Sequence, residues 1–293
     1  MKNNVQMLYD TLDIFNDGMY IKNGKTVQIK LSKQEMRECY VYLPDNIKMI
    51  IECRDFKHPR IARLMQVGCR NIDSFGMALE QNLHRQNSFN NEANNILVLN
   101  FANPYNPGGG VRNGANAQEE DLCRKSSLLF SLESEDAQLY YRYNKLLKTN
   151  MGSDAIILSP NVEIIKDCDG RLLDESVIVS VMTCAAPIIV NGMGEVSIEQ
   201  YRKILYNRIC GMLKCAAHWG YEYLVLGAFG CGAFGNDAKL VSDLFYNALK
   251  NFNYGGMKAE NFFSRIDFAV LDKTQNQYNL NEFKRNFENY YND

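Results

Sequence analysis

Apolar positions along the chain change their period near residue 95. Before it, NVQMLYDTLDIFNDG (4–18) carries apolar residues at helical spacing and stops at Asn16-Asp17-Gly18, a helix-ending signal. KTVQIKL (25–31) alternates as a short strand does. The stretch from about Pro59 to His84 is predicted as one or two helices. Beyond residue 95, ILVLNFA (96–102) is a continuous apolar run that suits a strand buried on both faces. It enters NPYNPGGGVRNGANA (103–117), a loop crowded with Asn, Pro and Gly.

QEEDLCRKSSLLFSL (118–132) is predicted as a helix with acidic residues in its first turn, and EDAQLYYRYNKLLK (135–148) as a second. DAIILSP (154–160) and ESVIVSVMTCAAP (175–187) are predicted strands, and residues 197–220 a long amphipathic helix ending at Gly220. EYLVLGAF (222–229) is another buried strand, followed by GCGAFG (230–235) and a helix over 236–252. RIDFAVLD (265–272) is a last strand, and the tail 279–291 is helical. Strands alternating with helices predict an α/β fold with a mixed or mainly parallel sheet covered on both faces. Residues 1–90 are expected to form a helical extension or cap, and 91–293 the core, the two making one integrated domain.

Composition narrows the function. The chain has 293 residues, 46% apolar and 23% charged, enough for a sizeable core. A net charge of −2, from 32 basic and 34 acidic side chains, argues against a groove that neutralises nucleic-acid phosphates. A compact anion held by backbone N–H groups stays open. The nine cysteines include no CxxC pair, so no zinc site is expected. They read as free thiols of a reducing, cytoplasmic compartment. MKNNVQMLYD lacks the apolar stretch of a signal peptide, and no apolar run reaches the roughly 18 residues of a membrane span.

Two loops carry candidate chemistry. Gly230-Cys231-Gly232-Ala233-Phe234-Gly235 spells GxGxxG between a strand and a helix, a setting in which backbone N–H groups can cradle a pyrophosphate. The acidic residue that a dinucleotide fold places about twenty positions later is missing, which disfavours a hydride-transfer cofactor. In the other loop, Gly108-Gly109-Gly110 is followed by seven residues and Gln118-Glu119-Glu120. Without side chains, those glycines let a sugar or phosphate touch the main chain. An acidic pair at a helix start can be a mere dipole complement. Beside a triple glycine and a second anion loop, it describes a site for a nucleotide diphosphate sugar, because ligands of α/β sheets gather at the carboxyl ends of strands.

At these residues the sequence resembles the bacterial-type poly(ADP-ribose) glycohydrolases of the macrodomain superfamily, whose signature is a triple glycine, six to eight residues, then Gln-Glu-Glu. VLNFANPYNPGGG, LVLGAFGCGAFGN and DAIILSPNVEIIKDCDGRLL all share in the likeness, which spans roughly residues 5–275. The resemblance implies a three-layer α/β/α macrodomain with an N-terminal helical extension and a mixed, mostly parallel sheet. It implies hydrolysis of the ribose–ribose glycosidic bond, with no cofactor or metal. Glu120 matches the catalytic glutamate, and Glu119 the carboxylate that holds ribose hydroxyls. Asn103, Gly108, Gly109 and Gly110 match the loop around the distal ribose. Gly230, Cys231, Gly232, Ala233, Phe234 and Gly235 match the diphosphate loop, with Phe234 packed near the ribose, and Val111, Gln118 and Asn236 are further expected substrate-binding residues. The implied partner is ADP-ribose or its polymer on modified proteins.

Three further expectations qualify this picture. A helix N-terminus favours a carboxylate, so the proton needed on Glu120 is expected in the complex with ligand rather than in the free chain. His58, His84 and His218 are isolated and structural, and Cys231 serves as a small residue rather than a nucleophile. The alternatives are a mono-ADP-ribosyl hydrolase using the same pocket and a non-catalytic ADP-ribose reader. Both glutamates argue against a reader.

Overall fold

The computed structural model describes residues 4–53, 64–86 and 95–291. Its elements run α1 (Asn4–Asp17), β1 (Met19–Lys22), β2 (Lys25–Gln28), α2 (Lys33–Arg37), β3 (Tyr40–Tyr42), α3 (Pro44–Glu52), β4 (Gln66–Arg70) and α4 (Ser74–Gln86). They continue with β5 (Ile96–Phe101), α5 (Gln118–Lys125), α6 (Leu128–Leu132), α7 (Gln138–Leu147), β6 (Ile156–Lys166) and β7 (Leu172–Cys184). The last are α8 (Ile198–His218), β8 (Tyr223–Gly227), α9 (Ala238–Lys250), β9 (Arg265–Ala269) and α10 (Tyr278–Phe287).

Seven strands form one sheet in the order β3-β6-β7-β5-β8-β9-β4. The pairs from β7 through β4 are parallel, and β6 runs antiparallel to both β7 and β3. The alternation of strand side chains sorts the core into two layers. Leu97, Leu99, Leu224, Leu226 and Phe268 point into a cluster with α3, α8, α9 and α10. Ile96, Val98, Val181 and Val225 point the other way, into a cluster with α1, α4, α5, α6 and α7. This is the expected three-layer α/β/α arrangement with a mixed, mostly parallel sheet.

The segment before residue 90 is more than a helical cap. Its strands β3 and β4 are the two edges of the main sheet, so a boundary at 90 falls inside the sheet's connectivity. The predicted helical stretch from Pro59 divides accordingly. Residues 59–63, like His58, lie outside the described residues; Gln66–Arg70 is a strand, and Ser74–Gln86 is the helix. Only Cys69 of β4 is fully buried, so no alternation announces the strand. Its partner β9 lies some two hundred residues away, with Gln66 opposite Arg265.

Two smaller departures have local causes. The strand at 25–28 is the second arm of a hairpin, closed by Asn23 and Gly24 at φ of 53° and 76°, the conformation that an Asn-Gly turn supplies. The helix predicted over 118–132 breaks at Ser126-Ser127. Ser127 Oγ accepts from Glu163 N and Ser127 N donates to Glu163 O, which ties the chain to β6 instead of to the preceding turn. Glu163 in turn accepts from Lys30 N, Leu31 N and Ser176 Oγ, pinning the N-terminal hairpin segment on the β6–β7 pair.

Candidate functional site

Parallel strands β5, β7 and β8 are neighbours, so the loops leaving their carboxyl ends at Phe101, Cys184 and Gly227 open on one side of the sheet. Both glycine loops are among them. The loop after β5 folds back through a short 3-10 turn (Val111–Asn113) and enters α5. Its course is held by side chains from α1 and α5. Arg124 of α5, almost wholly buried, donates to Ala115 O at 2.6 Å and Asn116 Oδ1 at 2.9 Å. Asn4 of α1 donates to Gly114 O, and Thr11 to Arg124 O. Gln118 donates to Leu99 O and Ser74 Oγ and accepts from Phe101 N, stitching the start of α5 to β5 and α4.

The acidic pair is buried where these restraints converge. Glu119 is 2% exposed and Glu120 7%. Glu119 Oε2 accepts from Asn103 N at 2.7 Å, and its Oε1 from Asn100 Nδ2 at 3.4 Å. Glu120 Oε1 accepts from Gly110 N at 2.9 Å, and its Oε2 from Ala117 N at 3.0 Å. Glu120 thus caps its own helix start and also reaches the triple glycine. Gly109 explains how: at φ of 58°, a Cβ there would lie 2.4 Å from Glu120 Oε1 and 3.1 Å from Glu119 Oε2. Gly108, at φ of 65°, would meet Leu129 at 2.7 Å. These glycines make room for protein groups as much as for a ligand.

The drive to hold a proton falls on Glu119 in the free chain. Burial pushes its carboxyl up to about 8, and the Glu120 charge adds to this, against the opposing N–H groups of Asn103 and Asn100.

The loop after β8 is built differently. Gly230 at φ of 74° would place a Cβ 2.4 Å from Ala186 Cβ, and Gly235 at 77° one 3.0 Å from Val190 Cα. Gly232 between them faces open space, with nothing within 4 Å of its would-be Cβ. Asn236 closes the loop from beneath. Its Nδ2 donates to Pro187 O and Gly230 O, and its Oδ1 accepts from Tyr201 OH at 2.7 Å. Ile189 N donates to Phe234 O, joining the loops after β7 and β8. Burial pushes the Cys231 thiol well up, so the nucleophilic thiolate is disfavoured there.

Not every candidate has a side chain free for ligand. Gln118 and Asn236 are engaged within the protein, and Val111 is buried with its N–H on Gly108 O. Asn103 Oδ1 accepts from Tyr105 N and Asn106 N and shapes the turn, as an Asx motif does. Sequence reasoning missed Asn100, Arg124, Thr11 and Tyr201, which hold the site together. Asn100 was legible as the one polar residue inside an apolar strand run. His218 Nδ1 lies 3.0 Å from Tyr254 OH. Among the described residues no group of three or more His, Cys, Asp or Glu gathers as a metal site would require. A broad cleft between α2 and the α6–α7 turn touches the first loop only at Arg112; its acidic residues Glu35, Glu38, Glu133, Glu135 and Asp136 outnumber its basic ones, Lys33, Arg37 and Arg112, which disfavours a diphosphate there.

Comparison with known proteins bears on this geometry. No curated protein sequence matches the chain. Among solved structures, the poly(ADP-ribose) glycohydrolase of Thermomonospora curvata superposes with a TM-score of 0.84 at 29% identity, over 98% of this chain and 100% of that one. Its complex with the inhibitor ADP-HPD gives 0.82, with the same identity and coverage. The poly(ADP-ribose) glycohydrolase of Deinococcus radiodurans in complex with ADP-ribose gives 0.72 at 32% identity, over 88% of this chain and 98% of that one. The family profile described as the catalytic domain of microbial-type PARG matches residues 9–167, a span that includes the triple glycine and both glutamates. With more than half of its length matched and the fold shared end to end, the chain belongs to the microbial-type PARG family.

Proposed function

We propose that the chain hydrolyses the ribose–ribose O-glycosidic bond of ADP-ribose polymers and releases ADP-ribose. The observation that carries this is the buried Glu119–Glu120 pair, held against the triple-glycine backbone at a strand end adjacent to the Gly230–Gly235 loop. Glu120 is the catalytic group. It protonates the leaving ribose oxygen as the bond breaks through an oxocarbenium-like state, and its carboxylate then activates the attacking water. Glu119 engages the ribose hydroxyls and sets the bond against Glu120. The backbone of Gly230 to Gly235, most openly at Gly232, takes the diphosphate, whose charge stabilises the developing cation.

The substrate is ADP-ribose polymer on modified proteins, in line with the relatives solved with ADP-ribose and ADP-HPD. All nine cysteines are free, which suits a cytoplasmic setting. Among the described residues no helix is long and apolar enough to cross a membrane. The two halves of the chain act as one domain, since the sheet draws strands from both.

Glu120→Gln tests the assignment. It keeps the size of the side chain and one of the two accepted hydrogen bonds, from Gly110 N or Ala117 N, but cannot cycle a proton, so release of ADP-ribose from labelled polymer should fall ~10³-fold while ADP-ribose binding by calorimetry persists. Parent-rate hydrolysis by this variant would sink the catalytic assignment.

A further inference from the structure

Asn100 is the penultimate residue of β5, lies opposite Thr183 of β7, and is fully buried with it. Both side chains point to the α5 face of the sheet. The two amide N–H groups of Asn100 are divided between Thr183 Oγ1 at 3.1 Å and Glu119 Oε1 at 3.4 Å. Its Oδ1, by contrast, is buried with no donor among the described residues. A buried amide oxygen without a donor carries an appreciable free-energy penalty, and such a group in a native site calls for a reason.

The reason lies in the neighbouring carboxyl. When Glu119 is ionised, it needs a donor, and the amide presents N–H. When Glu119 is protonated, its O–H needs an acceptor, and a half-turn of the amide presents Oδ1 to it and to the Thr183 hydroxyl. Amide nitrogen and oxygen have nearly the same shape, so the turn needs no extra room. We propose that Asn100, braced by Thr183, is a positioning residue that holds Glu119 beside Glu120 in both protonation states by turning its amide over as the proton arrives and leaves. This rests on the reading of Glu120 as the catalytic group. The groups facing Glu119 are Glu120 and Cys123 from its own helix, Tyr140 and Tyr141 from α7, and the N–H groups of Asn103 and Gly108 from the loop. Of these, the N–H groups are fixed donors and cannot follow the proton; Asn100 can.

The test compares Asn100→Ala, Thr183→Val and Thr183→Ser with the parent on labelled polymer across pH, alongside ADP-ribose affinity. Asn100→Ala should lower kcat by about 30-fold, as misplacement of a catalytic constellation does, with ADP-ribose affinity held within about threefold. Because Asn100 serves both protonation states of Glu119, its loss should lower kcat on both the acid and the alkaline limb of the pH profile, with the midpoint little moved. Thr183→Val should lower kcat on both limbs by less, and Thr183→Ser should restore it. If Asn100→Ala does not fold, the Thr183 pair decides. Parent-like kcat across pH in both Asn100→Ala and Thr183→Val, a loss confined to one limb of the profile, or equal behaviour of Thr183→Val and Thr183→Ser, overturns the inference. Glu120→Gln in the same assay separates the two readings. If it stays active, the assignment of the whole site fails; if it is inactive while Asn100→Ala matches the parent, only the role of Asn100 fails.

Discussion

A Cβ added at Gly109 would lie 2.4 Å from a glutamate oxygen, whereas one added at Gly232 would meet nothing within 4 Å. The two loops leave neighbouring parallel strands, yet their glycines answer different demands. In the first loop the backbone is pressed against the carboxylates of its own protein, so the glycines preorganise Glu119 and Glu120. In the second loop only the flanking Gly230 and Gly235 are crowded, and they fix a turn whose middle stays open to a ligand. Glycine-rich is therefore not one signal. The tertiary neighbours decide whether the missing side chain makes room for groups of the protein itself or leaves the backbone open.

The comparison breaks first at Gly109. Gly109→Ala forces an L-residue into positive φ, at about 1–2 kcal/mol, and drives a methyl into both carboxylates. Polymer hydrolysis should fall ~100-fold while ADP-ribose still binds. An active Gly109→Ala would mean the carboxylates do not need this approach. Gly232→Ala should do the reverse. Stability should change by less than about 0.5 kcal/mol, while ADP-ribose affinity weakens ~10-fold, as calorimetry would register. Unaltered affinity would remove Gly232 from the diphosphate site.

The pair at the first loop also predicts a pH dependence of stability. The Glu119 carboxyl is raised from its ordinary value to about 8, so the folded chain binds a proton that the unfolded chain has lost. The contribution of this group is fully present below the ordinary carboxyl range and is lost as pH rises towards about 8. Thermal melts of Glu119→Gln should therefore lose this downward slope between those limits; identical slopes in variant and parent would contradict it. The smallest effect belongs to the rim of the first loop. Arg112 pairs with Glu133 at 2.8 Å, but both side chains are substantially exposed. Arg112→Ala should lower stability by about 0.5 kcal/mol or less, seen in denaturant titration, with even less effect at high salt.

The order of strands and helices after residue 95 was legible because a strand buried on both faces reads as an unbroken apolar run and an amphipathic helix as a 3.6-residue period. Strand β4 was not, because an edge strand with one fully buried residue has no pattern of its own and exists through its pairing with β9. The break at Ser126-Ser127 was hidden for a related reason: a helix former and a strand neighbour compete for the same hydroxyls, and only the proximity of Glu163 settles the contest.

At the site the division follows the same line. The sequence by itself determined the spacing of the triple glycine from Gln118, Glu119 and Glu120, and so the family and the candidate chemistry, because these are local constraints on a loop entering a helix. Only the tertiary structure decided that Gln118 and Asn236 serve as internal staples, that Gly109 yields its space to two carboxylates, and that Glu119 is the carboxyl raised by burial. Each of those follows from contacts between residues distant in sequence: Gln118 with Ser74, Asn236 with Tyr201, and Glu119 with the strand that carries Asn100. Burial and hydrogen-bond partnership are properties of the packed chain, and no spacing along the sequence contains them.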